Sequence, residues 1–147
     1  MENVKMFVNG EAMRGGRLAP NLAQARFLGE ASTAPVYRFL SVRDEYPALL
    51  PAGTGGWPVR GELYEVAYAD LRDKLLPHEP AELELTIIEL ADGTGSLCMR
   101  LRPDRRDLPG LVDISAIGSW RDYLARAGQA GTGQAGTGQV GAAGETR

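Results

Sequence analysis

The spacing of apolar side chains divides the chain into a strand-rich body and a tail with almost none. Met6-Phe7-Val8 reads as a buried first strand, and Asn9-Gly10 breaks it with a pair that tolerates positive φ. Leu18, Leu22 and Ala25 fall at i, i+4 and i+7, one face of a short helix with Pro20 near its start. Strands are predicted over residues 26–33 and 37–42, separated by Ala34-Pro35, and a turn at 44–47 leads into an apolar piece at 48–50. A Gly- and Thr-rich loop at 51–58 precedes a strand at 59–66, anchored by Leu63 and Val66. Leu71, Leu75 and Leu76 mark a helix over 68–76, which Pro77 ends. Residues 82–90 alternate, with Leu83, Leu85 and Ile87 on one face, and Ala91-Asp92-Gly93 turns the chain into a returning strand at 96–102. Residues 103–110 read as loop. Ser119-Trp120-Arg121-Asp122 has capping-box spacing and opens a short closing helix with Trp120, Tyr123 and Leu124.

Beyond Ala127 the pattern changes. Gln-Ala-Gly-Thr-Gly recurs, starting at Gln129 and Gln134, and such a stretch buries too little apolar surface to offset the entropy of ordering. Residues 1–126 are therefore expected to form the folded domain and 127–147 a disordered Gly/Gln/Thr repeat tail. Strands outnumber helices and only one tight hairpin is evident, so the class is α+β with a curled or closed mixed sheet.

Composition narrows the functional classes. A 147-residue chain with 44% hydrophobic and 24% charged residues suits one globular domain. A net charge of −3 offers no basic surface for nucleic acid, because Asp104 and Asp107 dilute the arginines near residue 105. The lone Cys98 allows no internal disulfide and fits a reducing compartment. No apolar run approaches the roughly 20 residues of a membrane span, and the first residues lack a signal-peptide core, so a cytoplasmic protein is expected.

Most catalytic constellations are missing from the sequence. His78 is the single histidine, so no histidine-rich metal site is expected, and none of the serines sits in a Gly-x-Ser-x-Gly elbow. Cys98 has apolar neighbours mid-strand and reads as an inert buried thiol. The carboxylates remain. Glu79 lies between Pro77 and Pro80 just past the central helix, and Pro80 pushes it to an extended backbone. The negative helix end would raise its pKa towards neutrality, as acid–base chemistry requires; the plainer alternative is a solvated loop glutamate with an ordinary pKa. The opening corner, Asn9, Gly10, Glu11, Ala12 and Met13, leaves backbone N–H groups without strand partners, which either hold an anionic ligand or merely turn the chain. Glu11 either reads a substrate ammonium or caps the helix near Leu18. Tyr37, Tyr46, Trp57 and Tyr64 either line a small-molecule pocket or fill the core.

Several stretches together resemble the gamma-glutamylcyclotransferase-like superfamily. Phe7-Val8-Asn9-Gly10-Glu11-Ala12-Met13-Arg14-Gly15 is similar to its opening F-V-Y-G-T-L-M-R-G corner, and Val59-Arg60-Gly61-Glu62-Leu63-Tyr64-Glu65-Val66 to its V-x-G-E-V-Y-E-V strand. The closing Asp113-Ile114-Ser115-Ala116-Ile117-Gly118-Ser119-Trp120-Arg121-Asp122-Tyr123-Leu124 is most similar to the allophanate hydrolase C-terminal domain, with D-I-T-x-F-G-G-W-R-x-Y-L. Between them, Phe27-Leu28-Gly29-Glu30 and Tyr46-Pro47-Ala48-Leu49 fit the same order. The resemblance implies a small mixed β-barrel with flanking short helices and a cavity at the opening corner. It implies substrate binding by the corner, with Glu79 as the proton-moving residue, although Leu75-Leu76-Pro77-His78-Glu79-Pro80 matches the cyclotransferase L-D-x-x-E-G only at Leu75 and Glu79. Asn9 stands where the superfamily has tyrosine. Glu11 replaces a small hydroxyl residue and is expected to repel a substrate carboxylate.

In allophanate hydrolase such a domain follows an amidase, and either handles the product of its hydrolysis or helps assembly. The implied function is an acid–base enzyme or accessory subunit acting on a small carboxylated amide or urea-type nitrogen compound. The alternatives are a gamma-glutamyl cyclotransferase releasing 5-oxoproline and a non-catalytic assembly module. No cofactor is called for. A small-molecule substrate, a separately encoded amidase and a homodimer are the partners this reading allows; nucleic acid and membrane are not.

Overall fold

The computed structural model describes residues 2–137. Its strands are β1 (Asn3–Val8), β2 (Arg26–Ser32), β3 (Tyr37–Val42), β4 (Tyr46–Pro51), β5 (Arg60–Ala67), β6 (Leu83–Glu89), β7 (Gly95–Leu101) and β8 (Leu111–Asp113). They form a five-stranded sheet in the order β2-β5-β1-β7-β6 and a three-stranded sheet in the order β4-β3-β8. β1 is the axis of the larger sheet. It runs antiparallel to β5, with Phe7 opposite Leu63, and parallel to β7 through Met6 and Leu97. The fold is thus α+β with a mixed sheet. The two outer strands of the larger sheet meet only just past their ends, where Thr33 bridges Leu90, so the sheet is curled but open, and the expected barrel does not close.

Two apolar cores explain this curl. The larger gathers Met6, Phe7 and Val8 of β1 with Phe39, Leu49, Tyr64, Val66, Leu75, Ile88, Cys98 and Trp120. The smaller holds Val42, Tyr46, Ala48, Leu83 and Leu101, and seats β4 over β7. Because β6 serves both cores, its alternation does not follow a single face. Leu83, Ile88 and Leu90 are buried, whereas Ile87, expected on the inner face, is 72% exposed and Leu85 is exposed beside it.

Close approach of β1 and β5 demands a glycine. A Cβ on Gly61 would lie 2.3 Å from the Val8 carbonyl oxygen and 2.7 Å from the Phe7 ring. Gly61→Ala is expected to destabilise the chain by about 1–3 kcal/mol, as overpacking generally does. An unchanged urea midpoint would refute that contact.

The helical parts are short. The segment expected as a helix around Leu18 is only a 3₁₀ turn, Ala19–Leu22. The central helix starts as α1 (Tyr68–Asp70), widens to a π turn at Leu71–Leu75 and tightens to a 3₁₀ turn at Leu76–His78. Pro77 has no N–H for the carbonyl one turn earlier, so a regular α-helix cannot continue through it. The closing helix α2 (Trp120–Thr137) starts at a working cap, in which the Asp122 N–H donates to Ser119 Oγ at 3.2 Å. The expected boundary after residue 126 falls within this helix, and residues 138–147 of the repeat tail lie outside the described residues. No helix among the described residues is long and apolar enough to cross a membrane.

Candidate active site

The larger sheet leaves a gap where β1 ends. β5 accompanies β1 as far as Val8, opposite Glu62, but β7 pairs with it only at Met6. Past Val8 the chain therefore leaves the sheet between diverging neighbours, and a pocket opens there. Its walls include Asn9, Gly10, Glu11 and Ala12 from the corner, Tyr46 and Pro47 from β4, His78, Glu79 and Pro80 from beyond the central helix, and Cys98 from β7. The cavity itself is small, about 60 Å³, and it opens to solvent at its mouth.

Glu79 reaches this pocket because the preceding turn ends there. Its N–H donates to the Leu76 carbonyl at 3.1 Å, and its backbone is extended, with φ −76° and ψ 149°, as the following proline requires. Burial raises its pKa from the ordinary 4.5 to about 7. Burial is the cause, rather than the helix end that the sequence suggested, because the carboxyl sits half-buried against the pocket wall. The solvated-loop alternative does not describe this residue.

The corner lines the same pocket. Among the described residues, the N–H groups of Gly10, Glu11 and Ala12 have no protein acceptor, whereas the neighbouring Met13 N–H donates to the Gly10 carbonyl at 3.1 Å. Gly10 is held against β4, since a Cβ there would fall 2.5 Å from Pro47 Cδ. The Asn9 side-chain amide donates to Cys98 Sγ at 3.8 Å, closing the floor. Burial and the nearby Glu79 push the Cys98 thiol well above its usual range, which leaves it inert.

Glu11 is held inside the corner loop and does not cap the 3₁₀ turn, which has no side-chain cap. One carboxylate oxygen accepts the Arg17 N–H at 3.1 Å, and the other accepts Trp120 Nε1–H at 2.8 Å. The Arg17 guanidinium lies 3.5 Å away, so the expected repulsion of a substrate carboxylate is offset by a cation on the spot. The Tyr46 hydroxyl donates to Glu82 and lies near Arg43, which fixes the ring as a pocket wall; burial and Glu82 raise its pKa to about 12.

Four residues named from sequence, Met13, Tyr37, Trp57 and Tyr64, lie outside this pocket. Tyr37 is buried under the second sheet, where its hydroxyl oxygen accepts the Glu89 N–H at 2.7 Å. Met13 turns away from the pocket, towards Gly61 and Arg121. Trp57 bridges Tyr37 and does not plug the cavity. The sequence reading missed Arg17 and Glu62. Glu62 is 1% exposed on β5, and its carboxylate accepts the Arg14 N–H at 2.9 Å, Arg14 Nε–H at 3.0 Å, Arg121 Nη2–H at 3.0 Å and the Tyr64 hydroxyl at 3.0 Å. Burial alone would raise its pKa, but these donors outweigh it and the pKa is lowered. One signal was available: Glu62 alternates in phase with Tyr64 and Val66, both of which face inward.

None of the curated proteins matches the chain. Solved structures do. A uropathogenic E. coli-specific protein is 34% identical, with a TM-score of 0.79 over 85% of this chain and 98% of that one. Allophanate hydrolase of Kluyveromyces lactis is 23% identical, with a TM-score of 0.80 over 86% of this chain, which spans 22% of that enzyme. An AIG2-like protein of Mus musculus is 24% identical, with a TM-score of 0.53 over 75% of this chain and 86% of that one. The last two likenesses establish the fold alone. The family model of the allophanate hydrolase C-terminal domain matches residues 4–125, from the first strand through the closing motif, and the chain belongs to that family.

Proposed function

We propose that this domain is an acid–base enzyme, or the acid–base subunit of a separately encoded amidase, acting on a small carboxylated amide or urea-type nitrogen compound. The observation that carries this reading is a half-buried carboxyl group with a pKa of about 7 in one pocket with three unpartnered backbone N–H groups. A carboxyl group with its pKa raised to about 7 can serve as base and as acid near neutrality. The carboxylate takes a proton from the attacking nucleophile, a water or a substrate amine, as it bonds to the carbonyl carbon; the resulting acid protonates the nitrogen that leaves as its C–N bond breaks, so the group is restored after each cycle. The N–H groups of Gly10, Glu11 and Ala12 stabilise a carbonyl oxygen on which negative charge develops. Asn9 and Tyr46 shape the walls. A non-catalytic assembly module would have no use for an open pocket around a neutral-pKa acid.

The test is turnover of small carboxylated amides by the wild type and by Glu79→Gln across pH 5–9. A rate that changes near pH 7 in the wild type and is lost in the variant supports the assignment. An undiminished rate in the variant overturns it.

A further inference from the structure

We propose that Arg17 is the specificity-determining residue of this pocket: it binds the substrate's carboxylate at the mouth and so directs the nitrogen end inward to Glu79. This deepens, and rests on, the acid–base reading above. Arg17 lines both the pocket and the wider depression outside it, together with Glu11, Tyr46, His78 and Pro80, which places it at the junction of the two. It is the one lysine or arginine among the lining residues.

Its donors are available. The side chain is 68% exposed and meets Glu11 through Nε at 3.5 Å, while among the described residues its two terminal nitrogens donate no hydrogen bond. A planar fork with free N–H groups is the geometry that grips a carboxylate through two parallel bonds. The backbone beneath it is fixed, because the Arg17 N–H is bound to Glu11, which Trp120 in turn holds.

The other charged groups around the mouth already have partners. Asp44 accepts from Ser41 and Tyr123, Glu45 pairs with Arg43 at 3.2 Å, and Glu82 is taken by Tyr46 and Arg43. Deeper in, an ionised Glu79 disfavours a second carboxylate. Arg17 is thus the cation at the entrance and Glu79 the acid at the back, and a molecule with a carboxylate at one end and a neutral nitrogen at the other can meet both in one orientation.

The experiment compares binding of malonamate, which carries one carboxylate and one amide, with malonamide, which carries none, by calorimetric or NMR titration of the full chain. Wild type is expected to prefer malonamate by about tenfold or more, the range of one charge-assisted hydrogen-bonded contact. Arg17→Gln, at an exposed position that keeps the fold, should bring malonamate down to the malonamide level. Glu79→Gln should keep the preference. Equal binding of both probes by wild type, binding of neither at millimolar concentration, or a preference that survives in Arg17→Gln overturns the proposal. Failure of the acid–base reading would show separately, as turnover that persists in Glu79→Gln.

Discussion

Turnover by the Glu79→Gln protein is expected to fall by a factor of about 10²–10⁴, the usual contribution of one positioned acid–base group. Glutamine keeps the shape of the side chain but exchanges no proton near pH 7. The same variant carries a second signature in stability. A carboxyl group whose folded-state pKa lies above its unfolded value holds its proton more tightly in the native chain. The native state therefore loses stability as pH rises from about 4.5, and the loss is complete above about 7. At 1.36 kcal/mol per pKa unit this is at most about 3 kcal/mol. Glutamine has no charge to desolvate. Melting temperatures of wild type and Glu79→Gln should agree at pH 5 and separate by pH 8, with the variant the more stable. Coincident melting curves at both pH values would mean that Glu79 ionises in contact with water, and the case for a poised acid would fall with that result.

The Glu62→Ala protein should lose about 3–5 kcal/mol of unfolding free energy, the usual effect of breaking a buried ion pair from one side. Glu62 sits under two segments at once. It accepts a backbone N–H of the corner loop at Arg14, the guanidinium of that residue, and the guanidinium of Arg121 on α2. Removing the carboxylate strands these donors beside a cavity. Replacing Arg14, Glu62 and Arg121 together with apolar residues of similar volume should cost much less, because no charge is then left behind. Urea unfolding reads the difference as a shift of midpoint at constant slope. The pH dependence runs opposite to that of Glu79. A lowered folded-state pKa contributes stability above the unfolded value and loses it as pH falls. The two residues thus pull stability in opposite directions as pH changes. A Glu62→Ala protein as stable as wild type would mean that the corner is held by packing alone.

Much of the scaffold was legible in the chain. Strand β3 lies where alternation of aromatic and β-branched residues put it, and the β6–β7 hairpin turns at Asp92-Gly93. Ser119 caps α2 as its spacing to Asp122 required. The direction of Glu79 was also readable, since a following proline restricts backbone conformation locally. What alternation could not give was β8, three residues whose strand character comes from pairing with β3. Nor could it give the two-core curl that exposes Ile87.

Local sequence was sufficient wherever backbone preference or a neighbouring side chain does the work: the turn at Asp92-Gly93, the cap at Ser119, the extended Glu79. Charge and access belong to the folded molecule. Glu11, Glu62 and Glu79 are the same residue type on one chain, yet the first is clamped between Arg17 and Trp120, the second is ionised in a nest of donors, and the third is poised near neutrality. Those differences arise from residues many positions away brought within a few ångströms, and from how much water the assembled walls exclude.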